Sequence, residues 1–436
     1  MARVRMAYIG GGSTRAPGTM ASLIAQGENF QGSKVVLIDL DPERLEVVRT
    51  LAEKMARNRG IDLKITATMD RRAGLTGCDA VLSSFRPGGF EARALDERIP
   101  LDNGVIGQET QGPGGFFMAL RSIYVMRGIV ADMEAVCPGA WLVNYTNPVN
   151  IVAEAITHHS DLRTVSLCEG PIIFPREIAV AADLDPDRVD AVMIGLNHAS
   201  WSVRHLYDGE DMIPLLRAAL GRKRRDPTVD PKRLRLLWLA VRMESIPASY
   251  FQYYSFRDEI LAELRAKPTT RAQDIMASVP DFWAHYREQA ASDSPELDPK
   301  RSRGGINELE LAIDVMDAIF NDRGEVWPVN VPNEGAIPDF PADRVVEVPG
   351  YVDRHGIRPL AQGHLPPQVA GLGKMLGEYQ SLAARAAWDG GRHEAVQALA
   401  ANPLVMSLAK AETIYDELAA AQREWLPDRL LGGARG

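Results

Sequence analysis

The sequence predicts an α/β protein: a doubly wound parallel sheet in the first half, followed by a mixed α+β second half. Three observations carry that reading. Apolar runs of strand length recur at 4–9, 35–40, 63–68, 80–84, 140–143 and 165–167. Helix-permissive stretches separate them, which is the rhythm of parallel strands joined by covering helices. The first run meets Gly10-Gly11-Gly12-Ser13-Thr14 directly, and an apolar segment at 18–26 follows. That strand, glycine turn and helix would bring backbone N–H groups and a helix N-terminus up to a diphosphate, the Rossmann-type arrangement. After Trp201 the pattern changes to longer helical stretches between charged loops, and the domain change is placed near residue 195. Expected are thus 1–195 as the nucleotide-binding domain and 196–436 as an α+β domain for catalysis and oligomerisation.

The second run ends in Asp39, where a carboxylate can accept both ribose hydroxyls of NAD. The same charge would repel the 2′-phosphate of NADP. Arg44 lies one helical turn further on and is expected to point elsewhere if Pro42 starts the helix. Arg15 stands where the fingerprint has its third glycine. A ligand-free tight turn is the competing reading, and Asp39 after the next strand favours the nucleotide. The cofactor candidates are Gly10, Gly12, Ser13, Thr14 and Asp39.

A helix at 42–58 and strands at 63–68 and 80–84 follow, then a turn at Pro87-Gly88-Gly89. Residues 85–115 read as one long loop holding Arg86, Arg93, Gln108, Glu109 and a Gly112-Pro113-Gly114-Gly115 turn. Loops of that length are usually functional or disordered, and Ile99, Leu101, Val105 and Ile106 make disorder the weaker reading here. A helix is expected over 116–137, a strand over 140–143 opening into Asn144-Tyr145-Thr146-Asn147-Pro148, and a helix over 149–159. Late in that helix His158 and His159 offset its dipole. Ligands of open parallel sheets gather at the carboxyl ends of strands. The ends after Ile9, Ser84, Val143 and Leu167 carry glycine, arginine, asparagine and cysteine.

Two stretches make the case for an active centre. Residues 165–171 (VSLCEGP) run into Cys168 and Glu169, and 193–201 (MIGLNHASW) present His198 after an apolar run. A thiol and an imidazole at neighbouring strand ends suit a borderline-soft divalent metal. Inert cysteine packing and a simply hydrogen-bonded histidine are the alternatives. Downstream come helical stretches at 215–220 and 233–243, and an aromatic cluster at 249–254 whose three tyrosine hydroxyls need partners. A helix starts at Lys267-Pro268-Thr269-Thr270-Arg271. A loop at 293–304, an amphipathic run at 306–320, a small mixed sheet around 326–331 and 345–348, and a helical tail at 367–430 complete the chain.

Composition narrows the classes. A net charge of −9 and a pI near 5.5 argue against a polyanion-binding surface. The one dense basic run, Arg222-Lys223-Arg224-Arg225, reads as a solvated loop. Three cysteines are too few for a disulfide framework and fit a reducing cytosol. No signal peptide precedes the first strand, and no apolar segment approaches the ~18 residues of a membrane helix. A cytoplasmic protein with a small-molecule ligand, and neither nucleic acid nor membrane as partner, is the expectation.

Taken together these residues resemble the family 4 glycoside hydrolases, NAD- and divalent-metal-dependent glycosidases. The resemblance runs through IGGGST at 9–14, GVIGQETQGPGG at 104–115, NYTNPVNIV at 144–152, CEGP at 168–171 and GLNH at 195–198. It continues through YFQYYS at 250–255, TRA at 270–272, RGGINELELAI at 303–313, VNVPNEGAIPDFP at 329–341 and VPGYVDRHG at 348–356. The resemblance implies a lactate/malate dehydrogenase-like architecture and a homodimer or homotetramer. It implies a redox route in which NAD⁺ takes the C3 hydride of the sugar, a tyrosinate removes the C2 proton, the C1 substituent is eliminated, water adds and the steps reverse. By position Cys168 and His198 match the ligands of a metal, Mn by resemblance, and Tyr250 matches the C2 base. Glu169 matches the acid of the α-specific phospho-glycosidases, whose β-specific counterparts tend to carry asparagine. Glu109 matches a second acidic residue. Ser13, Arg93 and Arg271 match a 6-phosphate pocket, Asn147 a sugar contact and Asn144 a cofactor contact. CEGP matches no cysteine-loop variant of known specificity. Gln111 replaces a cysteine often seen in QETCGPGG, a change expected to alter packing rather than chemistry. A 6-phospho-glycoside is the expected substrate, with a non-phosphorylated α-galactoside, α-glucoside or α-glucuronide as alternatives. Outside the family, a malate- or lactate-type dehydrogenase would release NADH, and an NAD(H)-sensing protein would turn over no glycoside.

Overall fold

The computed structural model describes residues 1–303 and 310–432. Among these, twelve strands form one sheet. Its first part is built from β1 (Arg5–Ile9), β2 (Ser33–Ile38), β3 (Leu63–Thr68), β4 (Ala80–Ser83), β5 (Trp141–Asn144) and β6 (Arg163–Ser166). They lie in the order β3-β2-β1-β4-β5-β6, all parallel. The helices between them are α1 (Ala16–Ala25), α2 (Pro42–Asn58), α3 (Arg71–Leu75), α4 (Gly89–Asp102), α5 (Gly112–Val136) and α6 (Val149–His159). The strand order reverses between β1 and β4, and such switch points open a crevice at the strands' carboxyl ends.

Alternation along each strand explains the two covered faces. Met6 and Tyr8 of β1, Val35 and Leu37 of β2, and Ala80 and Leu82 of β4 join one core. Ala7 and Ile9, Val36 and Ile38, and Val81 join the other. Because side chains on a strand alternate with period two, both faces must be apolar, and the runs therefore read as continuous hydrophobic stretches.

After α7 (Gly170–Ala181) the chain extends the same sheet. The strands β7 (Val189–Leu196), β8 (Ala199–Tyr207) and β9 (Glu210–Asp211) form antiparallel hairpins. The helices α8 (Ile213–Lys223), α9 (Pro231–Met243), α10 (Gln252–Ser255), α11 (Arg257–Ala266), α12 (Arg271–Ala291) and α13 (Leu311–Phe320) follow. Then β10 (Glu325–Pro332), β11 (Val345–Asp353) and β12 (Gly356–Pro359) precede α14 (Pro367–Trp388), α15 (Arg392–Ala400) and α16 (Leu408–Ala421). The strand β10 pairs antiparallel to β6 at Asn330 and Ser166, and β11 meets β7 at Glu347 and Gly195. The strands expected to form a small mixed sheet are thus the bridge between the parallel half and the β7–β8 hairpin. Residue 195 lies inside β7.

Three other expectations change. The stretch 85–115 contains the 14-residue α4, hidden from a reading of periodicity by its polar residues and its interior Pro100. The Gly112-Pro113-Gly114-Gly115 turn is the first turn of α5, since proline is tolerated where helix N–H groups are unpaired anyway. The helix α5 is also long and apolar enough, by length and composition, to cross a membrane, contrary to the sequence reading, but 72% of that window is buried inside the fold. It packs on α4, α6 and α14. Of the RGGINELELAI stretch, residues 304–309 lie outside the described residues, as does the start of the amphipathic run at 306.

Candidate active site

A cavity of about 1250 Å³ opens at the carboxyl ends of the parallel strands. This exceeds the roughly 300–1,000 Å³ of an ordinary small-molecule pocket, so a dinucleotide and a second ligand fit together. At one end is the glycine turn. Gly10 takes φ +97°, and a Cβ there would stand 2.1 Å from the Ser84 carbonyl oxygen. The turn can therefore pass under the β4 end only without a side chain. Asp39 accepts hydrogen bonds from the N–H of Gly12 at 2.8 Å and of Leu40 at 2.7 Å. Exposed Leu40 and Met69 give this end an apolar rim. Arg44, expected to point away, lines it as well, paired with Asp41 at 3.0 Å and lying over the Trp283 ring.

At the other end Cys168, His198 and Tyr250 converge. Cys168 follows β6, and its Sγ accepts the Gly170 N–H at 3.3 Å. His198 forms the tight β7–β8 turn with φ +60°, and its Nε2 lies 3.5 Å from Cys168 Sγ. Ligands at about 2.1 Å (nitrogen) and 2.3 Å (sulfur) from one ion stand about 3.1–3.6 Å apart at angles between square and tetrahedral. The pair thus fits a metal, and among the described residues no third histidine, cysteine or carboxylate joins it. Substrate oxygens or water would complete the shell. Tyr250 stacks on the His198 ring, with centroids 3.9 Å apart and planes at 16°. Burial, ahead of the neighbouring charges, raises both the Cys168 thiol and the Tyr250 phenol. It lowers the His198 imidazole to about 4. Burial thus favours the neutral form of all three, and a bound cation would favour the thiolate and tyrosinate instead.

Around this floor stand guanidinium groups. Burial pushes the Glu109 carboxyl up, but Arg86 and Arg93 outweigh it and hold the group down at about 2. Arg86 bonds Glu109 directly, and Arg93 Nη1 lies 2.8 Å from it. Arg93 Nε also meets Glu97 at 2.8 Å. Arg303 donates to Thr14 Oγ1 at 3.4 Å and shares the Phe90 ring with Arg86. Burial and the neighbouring arginines lower Arg303 to about 10. Arg15 sits over Tyr145, 3.5 Å from Glu169 and 3.9 Å from Glu310.

Of the residues singled out by sequence, Gly10, Gly12, Ser13, Thr14, Asp39, Glu109, Asn147, Cys168, Glu169, His198 and Tyr250 line this cavity. Among the described residues the buried Asn147 Oδ1 has no hydrogen-bond partner, and the Ser13 hydroxyl, beside Tyr8, is buried at the cavity wall. Arg93 stands one layer back, behind Glu109. Asn144 does not reach the cavity. It is fully buried, accepting from Ser83 Oγ at 2.8 Å and donating to Ser166 Oγ at 3.1 Å, and so ties the ends of β4, β5 and β6. Arg271 is exposed in the first turn of α12 behind the Thr270 cap, outside the cavity wall. Sequence reasoning passed over Arg303 and Tyr145, although both stand inside the motifs quoted for the resemblance. It also passed over Glu347, buried beside Asn197 and raised to about 7 by that burial.

Comparisons agree with the geometry. A sequence profile described as Family 4 glycosyl hydrolase matches residues 5–184, and that of its C-terminal domain matches 193–405. A probable 6-phospho-beta-glucosidase of Bacillus subtilis (strain 168) is 36% identical over 97% of both chains. The 6-phospho-beta-glucosidase of Escherichia coli (strain K12) is 32% identical over 98% of this chain and 97% of its own. Among solved structures, a 6-phospho-alpha-glucosidase from gut microorganisms in complex with NAD and Mn²⁺ superposes with a TM-score of 0.86 at 27% identity, covering 98% of this chain and 99% of that one. The 6-phospho-beta glucosidase of Thermotoga maritima with manganese, NAD⁺ and glucose-6-phosphate gives 0.82 at 26%, over 97% and 99%. A Cryptosporidium parvum lactate dehydrogenase gives 0.55 at 14% over 88% and 98%, a likeness of fold alone. The chain is a member of the family 4 glycosyl hydrolases.

Proposed function

We propose that this glycosidase cleaves 6-phospho-glucosides, with NAD and Mn²⁺ as cofactors. The observation that carries the reading is the convergence of Cys168, His198 and Tyr250 in one cavity with the glycine turn and Asp39. The nucleotide supplies a reversible hydride acceptor and the divalent ion a Lewis acid. Gly10–Thr14 and Asp39 would hold the first, and Cys168 with His198 the second. Tyr250 faces the same space and takes the proton from sugar C2. A buried phenol is a useful base only beside a cation. Glu109, held ionised by two arginines, acts as an acceptor and not as a proton donor at neutral pH. Ser13 and the arginines around Phe90 offer a 6-phosphate donors in the fork geometry that phosphate favours, and Asn147 offers a sugar contact. Identity to the relatives pulls toward the β-anomer and Glu169 toward the α. The same reading carries a homodimer or homotetramer working in the cytoplasm.

The test is a panel of α- and β-glucosides, with and without 6-phosphate, run in D₂O with NAD⁺, Mn²⁺ and a reductant. Expected are preference for the phosphorylated compounds, no net NADH and deuterium at C2 of the product, because elimination and re-addition must reprotonate that carbon. Tyr250→Phe keeps the ring and removes the hydroxyl, so its loss should fall on rate more than on stability. Protium alone at C2 excludes the route, and a preference for neutral glycosides excludes the phosphate. A fully active Tyr250→Phe moves the base to another residue.

A further inference from the structure

We propose that Thr110, Gln108 and Gln111 form a positioning unit that fixes which nitrogen of His198 carries the proton, and so leaves Nε2 with a free lone pair toward Cys168. The inference rests on the metal reading of Cys168 and His198 only for the purpose of that lone pair. The proton positions themselves follow from the hydrogen bonds.

The chain of bonds can be given a direction from one unambiguous donor. The backbone N–H of Thr110 lies 2.8 Å from Gln108 Oε1, so that atom is the carbonyl oxygen and carries no hydrogen. Thr110 Oγ1 lies 3.1 Å from the same oxygen, which can only accept, and is assigned to give it its single proton. The hydroxyl then has only lone pairs left. His198 Nδ1, 2.8 Å away, is therefore the donor and holds the ring's N–H. Gln111 Nε2, 3.3 Å away, must be the amide nitrogen. That turns Gln111 Oε1 to the Tyr254 hydroxyl, which donates to it at 2.6 Å. One donor and two acceptor sites of the threonine are filled in this assignment, whereas a hydroxyl turned to Nδ1 would leave Oγ1 and Gln108 Oε1 3.1 Å apart with no proton between them.

The scaffold keeps this loop in place. A Cβ on Gly114 would stand 2.6 Å from the Gln108 carbonyl oxygen, and one on Gly115 would stand 2.3 Å from the Thr110 carbonyl carbon. The start of α5 thus presses on residues 108–110 through glycines, and Tyr254 holds Gln111 from the second half of the chain. Gln111, expected from sequence to affect packing alone, supplies one of the two bonds that saturate Thr110. A partner that fixes the ring's tautomer and orientation is how proteins tune a metal-binding histidine.

The test uses full-length, metal-free protein labelled with ¹⁵N-histidine. The His198 signals are assigned by their loss in His198→Gln, and Mn²⁺ binding is measured separately by EPR. Wild type and Thr110→Ser should show Nδ1–H, with similar Mn²⁺ affinity. Thr110→Val should lose this preference and bind Mn²⁺ roughly 10–100-fold more weakly. Gln108→Leu is the sharper variant, since it frees the Thr110 proton to donate to Nδ1 and should raise the Nε2–H form with the threonine still present. A merely structural loop would not move the tautomer in that direction. Nε2–H in metal-free wild type overturns the inference, as does a Thr110→Val protein with unchanged tautomer and affinity. Nδ1–H in a wild type that binds no Mn²⁺ upholds the positioning unit and overturns the metal reading instead.

Discussion

Glu109 shows how single side chains in this site are set by their neighbours. Its ordinary value is 4.5 and its value in the fold is about 2, so the folded state prefers the ionised form. A depressed carboxylate contributes stability above its unfolded pKa and loses it as pH falls toward the folded value. Glu109→Gln should therefore be less stable than wild type at pH 7 by roughly 1.5–3 kcal/mol, the worth of a charged hydrogen bond. The gap should close as pH drops below about 4.5. Urea unfolding of both proteins at several pH values measures it, and a gap independent of pH would mean that the arginines do not control this carboxyl. At this scale the sequence was legible where residue type and strand end coincide. Cys168 and His198 each end an apolar run, and both reach the cavity. Asn144 also ends a strand, but its side chain is claimed by Ser83 and Ser166 on the neighbouring strands. Such lateral pairing depends on register, which one strand's sequence does not contain. Arg303 was missed because it meets Thr14 across 289 residues of chain.

The glycine turn between β1 and α1 is an element whose shape and use can be separated. Gly10 needs both its positive φ and its missing Cβ, whereas Gly77 has φ +68° and open space, with no atom within 4 Å of where a Cβ would stand. Gly77→Ala should cost only the left-handed backbone term, about 1–2 kcal/mol. Gly10→Ala adds a collision with the Ser84 carbonyl, so it should lower the melting temperature further and weaken NAD⁺ binding, which Gly77→Ala should spare. Calorimetric NAD⁺ affinities and melting curves of the two variants decide. Equal behaviour would remove the close approach from the explanation. The strands of the parallel half were legible because burial on both faces leaves uninterrupted apolar runs. The helix α4 was not, since Gly89–Asp102 is dense in charged residues and carries an interior proline. It is held by tertiary pairs, among them Arg121 with Asp96 at 2.6 Å, both fully buried.

At the scale of the whole molecule, both apolar clusters draw on residues from either side of position 195, where the sequence places a boundary. One apolar cluster runs from Val4 and Tyr8 through Trp201 and Phe251 to Val348 and Leu376. The other joins Ile9 and Phe117 to Tyr415 and Leu430. Tyr286 donates its hydroxyl to the Thr14 carbonyl at 2.9 Å, so the second half also braces the glycine turn directly. The sequence could not show this, because the pairing of β10 with β6 and of β11 with β7 is long-range and rests on single bridges. The tryptophans are a natural reporter: Trp141 is the single one before residue 196, and the other six follow it. Tryptophan fluorescence therefore reads mainly the second half, while NAD⁺ is expected to bind at the first. If the cores are continuous, NAD⁺ at a hundredfold excess over its Kd should stabilise the protein by about 2.7 kcal/mol. The fluorescence midpoint should then move together with the far-UV circular dichroism midpoint. A dichroism curve that splits, with the tryptophan transition left in place by NAD⁺, would mean that the two halves unfold separately and that a boundary near residue 195 is an energetic one after all.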